Sequence, residues 1–133
     1  MKLQVLGKQD RLVLNGPLSR DVREPYPFID LTGTSVEIGN EVVLSSGVYI
    51  HTHTHQFEKA NWRELPALPY QPDARATIIS DYVFIGVNAQ IMHSCKRVGK
   101  HSVVAAGSIV TRDIPDYEIW AGVPARKIGD VSE

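Results

Sequence analysis

The chain has 133 residues, of which 43% are hydrophobic and 22% charged, enough apolar material for one domain with a core of its own. A formal net charge of −1 offers no basic field for nucleic acid, and one cysteine rules out a disulfide framework or a multi-cysteine zinc site. No apolar run approaches the length that crosses a membrane as a helix.

The first residues, MKLQVLGKQDRLVLNG, reach charged side chains too early for a secretory h-region, so a cytoplasmic protein is expected. LQVLG and RLVLNG read as two strands, and residues 1–28 as a cap over the open end of a repeat that begins after them. After a weak block, TGTSVE with Val36 at its fifth place, the segment IGNEVV-LSSGVY-IHTHTH divides into sixes opened by Ile38, Leu44 and Ile50. ISDYVF-IGVNAQ-IMHSCK repeats the pattern from Ile79, Ile85 and Ile91. After one extra residue, Arg97, VGKHSV-VAAGSI-VTRDIP repeats it from Val98, Val104 and Val110. The fifth place is small or β-branched throughout, with Cys95 among its occupants. Six is an even period, which suits short strands and no helix. The reading is an all-β solenoid: each block makes one wall of a triangular coil, the opening aliphatics stack inward, and neighbouring coils bury one another.

The longest interruption, residues 51–77, contains three prolines and no six-residue phase, with EKANWREL as one helical turn. At its root stand His51, His53 and His55 on alternate positions. Three readings compete there: a metal chelate completed by His93 or His101, a catalytic base with bystanders, or a polar strand. Val43, Val48, Tyr49 and Val103 are expected to face outward and need a partner. The solenoid spans residues 29–115. Residues 116–133 come last as a strand and a short helix started by Pro124, with Trp120 and Tyr117 sealing the last coil.

The hexapeptide blocks, the loop after the third strong block and the ending VAAGSIVTRDIPDYEIWAGVPARKIG together resemble the left-handed β-helix acyltransferases, most of all the maltose, galactoside and xenobiotic O-acetyltransferases. The resemblance covers about residues 29–129, and AGS-V-T-DIP with AGVPAR-I is its specific part. It implies a left-handed parallel β-helix with a protruding loop, direct transfer from acetyl-CoA to a hydroxyl of a sugar-like acceptor, and no metal. It places the catalytic base on His55, in THTHQF, with Gln56 where proline often stands; His53 and His51 are unmatched bystanders. It lays coenzyme A along Gly86, Ala105, Ala106 and Gly107, with Thr111, Arg112, Arg126 and Lys127 toward the nucleotide end, and gives Phe84 and Asp30 contacts to the acceptor. It also implies a homotrimer with sites between subunits, and no nucleic-acid or membrane partner. The alternatives are a γ-carbonic anhydrase-like metalloenzyme on the same prism, N-acetylation of an amino sugar, and a non-catalytic scaffold.

Overall fold

An aliphatic side chain that must point inward every six residues obliges the chain to turn a corner between one and the next. In the computed structural model, which describes residues 3–19, 22–56, 61–63, 67–71 and 75–132, the chain does so with very short strands. Strand β1 (Gln4–Gly7), a 3-10 turn (Gln9–Arg11), β2 (Leu12–Leu14) and β3 (Phe28–Leu31) come first. One coil is then formed by β4 (Val36–Ile38), β5 (Val43–Leu44) and β6 (Tyr49–Ile50). The inserted loop carries β7 (Thr54–His55) and β8 (Tyr70–Gln71). The next coil is β9 (Thr77–Ile79), β10 (Phe84–Ile85) and β11 (Gln90–Ile91), and the one after it β12 (Arg97–Val98), β13 (Val103–Val104) and β14 (Ile109–Val110). The chain ends in β15 (Glu118–Gly122) and β16 (Ala125–Asp130).

Successive strands belong to different sheets, so the chain winds round three walls. The first wall is β1-β3-β6-β11-β14, the second β2-β4-β9-β12, and the third β5-β10-β13-β15-β16. Pairing within the walls is parallel, apart from the final β15–β16 hairpin. The two N-terminal strands extend the stack, β1 on the first wall and β2 on the second.

The register puts the repeat where its chemistry requires. The block-opening Ile38, Ile50, Ile79, Ile85, Ile91, Val98, Val104 and Val110 are 0% exposed, and Leu44 is 3%. The fifth places fill the corners: Val42, Val83, Ala89, Cys95 and Ser102 are fully buried. Burying each large aliphatic contributes about 1.5–3 kcal/mol, and each coil buries the aliphatics of the next. Cys95 is thus core, its thiol pushed up to about 12 by burial and then by the charge of Asp113.

At one set of corners the left-handed backbone falls on residues that carry side chains rather than on glycine. Glu41, Tyr82, His101 and Tyr117 have φ of 54, 60, 57 and 62° at equivalent corners of successive coils. The last three stack their rings, Tyr82 on His101 at 4.9 Å and His101 on Tyr117 at 4.8 Å.

Three expectations are corrected or displaced. Val48 and Val43 are not outward-facing surface: Val48 is a fifth-place corner residue, 1% exposed. Val43 is 7% exposed, and the N-terminal segment runs beside it, Ser19 N–H donating to Val42 O at 3.1 Å. The expected C-terminal helix is replaced, among the described residues, by a strand. Residues Ala125–Asp130 return as β16, because Gly122 takes φ +104° and the Val123–Pro124 pair closes a two-residue turn between Gly122 and Ala125. Proline's fixed φ and missing N–H suit that turn as well as a helix start. Of the helical turn expected over residues 58–65, only Asn61–Arg63 lie among the described residues, so that expectation falls outside them.

Candidate functional site

Strand β3 alternates: Ile29 and Leu31 point into the core, so Asp30 between them points out. Asp30 is nevertheless 0% exposed. The cause lies in the next coil, where the chain leaves the first wall. His51 N–H still bonds to Ile91 O across the ladder at 2.8 Å. Thr52 then turns away, and its N–H is taken instead by Asp30 Oδ2 at 3.0 Å. The other oxygen, Oδ1, accepts from Thr32 N–H at 2.9 Å and from the Thr32 hydroxyl. Thr52 Oγ1 donates to Asp30 O at 2.8 Å and accepts from Gly33 N–H at 3.0 Å. Gly33 has no room for a side chain, since a Cβ there would fall 2.0 Å from Thr52 O.

Into this arrangement His53 sets its Nδ1, 2.6 Å from Asp30 Oδ2 and 2.7 Å from Thr32 Oγ1. Burial alone pushes the Asp30 carboxyl up, but the bonds from Thr32, Thr52 and His53 outweigh it and hold the carboxyl at about 2, below its ordinary 3.8. The group is therefore ionised at neutral pH and can only accept. His53 must carry its hydrogen on Nδ1, which leaves the lone pair of the neutral ring on Nε2.

The other two histidines are set differently. His55, on β7, directs Nδ1 to the Leu68 carbonyl at 3.1 Å and meets the His53 ring edge-on at 5.3 Å. His51 stacks on Tyr49 at 3.9 Å, and Tyr49 on Phe28 at 4.6 Å. Its Nε2 lies 2.8 Å from Gln90 Oε1, and burial, opposed by that bond and by Asp30, lowers its pKa. Among the described residues, no three His, Cys, Asp or Glu side chains are gathered where a metal ion could be held.

The remaining expected site residues form separate groups. Gly86, Ala105, Ala106 and Gly107 lie where the chain passes from the third wall to the first, the far end of the first wall from the histidines. Gly86 has no open face: a Cβ there would sit 2.6 Å from Ala106 N, so the next coil fills the space. Gly107, at φ +71°, has nothing within 4 Å of a Cβ, which is the open backbone a pantetheine chain would need. Thr111 and Arg112 follow β14 on the same edge as the histidines, both exposed, with the Arg112 guanidinium 5.1 Å over the Trp120 ring. Arg126 and Lys127 are exposed on β16, and Lys127 pairs with Asp130 at 2.9 Å and Glu118 at 3.5 Å. Phe84 is 36% exposed on the third wall, in register between Val43 and Val103 and away from the histidines. Asp30, expected at the acceptor, has no surface to offer one. Sequence reasoning missed its pairing with His53; the available signal was the inward Ile29 and Leu31 flanking an acid.

Comparison with known proteins agrees with this architecture. The family model described as the hexapeptide repeat of succinyl-transferase matches residues 32–51 and 76–112. A 2,3,4,5-tetrahydropyridine-2,6-dicarboxylate N-acetyltransferase of Staphylococcus aureus (strain JH9) is 50% identical over 62 residues, 47% of this chain and 26% of that enzyme. The match thus spans about a quarter of the curated relative's length. A maltose O-acetyltransferase from Clostridium difficile 630 superimposes with a TM-score of 0.66 at 24% identity, covering 99% of this chain and 68% of the other. A point mutant of AntD, an N-acyltransferase from Bacillus cereus in complex with dTDP-4-amino-4,6-dideoxyglucose and coenzyme A, gives 0.64 at 19% identity, over 99% and 72%.

Proposed function

We propose that this hexapeptide-repeat chain is an acetyl-CoA-dependent acetyltransferase on a left-handed β-helix, acting by direct transfer on a sugar-like acceptor. The observation that carries the reading is the buried, ionised Asp30 against His53 Nδ1. An acceptor hydroxyl has to lose its proton as it attacks a thioester, and a neutral imidazole held with its lone pair on Nε2 is suited to take it. We assign that role to His53 in preference to His55. Both rings have the same tautomer imposed on them, and His53 has the buried Asp30 carboxylate on Nδ1 to stabilise the imidazolium that forms. Its proton then returns to the departing coenzyme A thiolate, so no acyl-enzyme is required.

The base and the open backbone at Gly107 lie at opposite ends of the first wall. Base and groove thus stand at different edges of one chain, which supports a homotrimer in which His53 of one copy faces the groove of the next. In that arrangement Thr111 and Arg112 of the copy that supplies the base, together with Arg126, line the coenzyme A path. Lys127, held by two carboxylates, is the weaker phosphate ligand. N-acetylation is a second reading, favoured by the 50% identity to an N-acetyltransferase; the same base serves an amine.

Thiol release from acetyl-CoA, measured against a panel of hydroxylated and amino sugars, tests both readings. His53→Ala is expected to lower kcat by about 10²–10⁴-fold, with a smaller loss for His55→Ala. Release no faster than hydrolysis with every acceptor would remove the transferase reading.

A further inference from the structure

The N-terminal strand and turn do more than lengthen the stack. Residues Gly7 and Arg11 both close on the backbone of Leu31 and Thr32. Gly7 lies flat against it at φ +96°, where a Cβ would come 2.9 Å from Leu31 C and 3.0 Å from Thr32 N. Arg11 Nη1 donates to both carbonyls, Leu31 O at 3.0 Å and Thr32 O at 3.1 Å. Thr32 is also the residue whose hydroxyl stands between Asp30 Oδ1 and His53 Nδ1, donating to the first and lying 2.7 Å from the second. A hydroxyl offers one hydrogen and two lone pairs, so it can donate to the carboxylate while accepting from the ring.

We infer that Arg11 and Thr32 are positioning residues for His53: Arg11 clamps the Leu31–Thr32 backbone, and the Thr32 hydroxyl so fixed holds Asp30 and the imidazole in one geometry. The inference rests on the assignment of His53 as base. The clamp acts at a distance, since among the described residues Arg11 bonds to backbone carbonyls and takes no part in the transfer. Residues 4–11 therefore belong to the working site although they precede the repeat. A loosened ring spends part of its time with Nε2 misdirected, which lowers turnover and leaves coenzyme A binding alone.

The test uses the full chain with Arg11→Met, Arg11→Lys, Thr32→Val and Thr32→Ser. Nitrogen-15 NMR of the neutral His53 ring reads its tautomer, and steady-state kinetics with acetyl-CoA separate kcat from KM. Arg11→Met and Thr32→Val are expected to admit the Nε2–H tautomer and to lower kcat by about tenfold, with KM for acetyl-CoA within about twofold of the parent. Arg11→Lys and Thr32→Ser should restore most of the Nδ1–H signal, because each keeps a donor in place. A folded Arg11→Met protein with the parent's His53 spectrum and kcat overturns the inference, as does a lower Tm with neither readout changed. If His53→Ala leaves transfer intact, the base assignment fails. The tautomer measurement then still decides whether Arg11 and Thr32 orient the ring.

Discussion

At Asp30 one carboxylate collects four donors: Thr32 N–H and hydroxyl on Oδ1, Thr52 N–H and His53 Nδ1 on Oδ2. Asn at this position keeps one acceptor oxygen and turns an NH2 group toward donors on the other side. Asp30→Asn is expected to cost about 1–3 kcal/mol of stability by urea unfolding. Where the amide NH2 faces His53, the ring must accept at Nδ1 and carry its hydrogen on Nε2, the wrong tautomer for a base. Turnover should therefore fall by about 10²-fold or more. The parent protein also has an acid limb with a definite sign. The Asp30 carboxyl lies at about 2 in the folded chain and at 3.8 ordinarily, so its contribution, about 2 kcal/mol, is complete above the higher value. It fades as pH falls from about 4 toward 2. Urea midpoints of parent and Asp30→Asn should converge over that interval; a constant gap would show that the carboxylate is not the titrating group.

Among the turns, Gly86 and Gly107 lie on the same passage from the third wall to the first and are opposites in the room around them. Ala at Gly86 would press on Ala106 N at 2.6 Å and Ala105 C at 3.0 Å, backbone that cannot yield without parting two coils. Gly86→Ala should lower Tm markedly and change activity only through folding. Ala at Gly107 meets nothing within 4 Å and bears only the left-handed backbone, about 1–2 kcal/mol. Gly107→Ala should stay folded and raise KM for acetyl-CoA, provided the cofactor passes there. An unchanged KM would move the groove elsewhere. The walls themselves were legible from the sequence, because an aliphatic every six residues admits few other folds. The last strand was not: ARKIGD has no alternation that separates a returning strand from a short helix, and its pairing with β15 is what decides.

For the whole molecule, the separation of base and groove makes a prediction about assembly. Sedimentation is expected to give three chains, and a dissociated chain no transfer. Two inactive variants, His53→Ala and a Gly107→Trp that blocks the groove, should regain activity when mixed and reassembled. In an equal mixture about a quarter of intersubunit sites draw both intact halves from different chains. No recovery from mixed trimers would place base and groove in the same chain. The molecule owes its cohesion to nearest-neighbour coils. The buried aliphatics therefore serve stability, and the loop root and the wall edges remain for chemistry.

The repeat, its inward positions, the buried Cys95 and the place where the loop leaves the wall were all readable in the order of residues, because they follow from local periodicity and from which side chains avoid water. The choice among three histidines was not. Alternation puts His51, His53 and His55 in equivalent positions, and they become different only when β3 brings Asp30 and Thr32 beside one of them. That juxtaposition joins residues more than twenty positions apart across a parallel ladder, and a ladder's register is settled by packing rather than by neighbours in sequence.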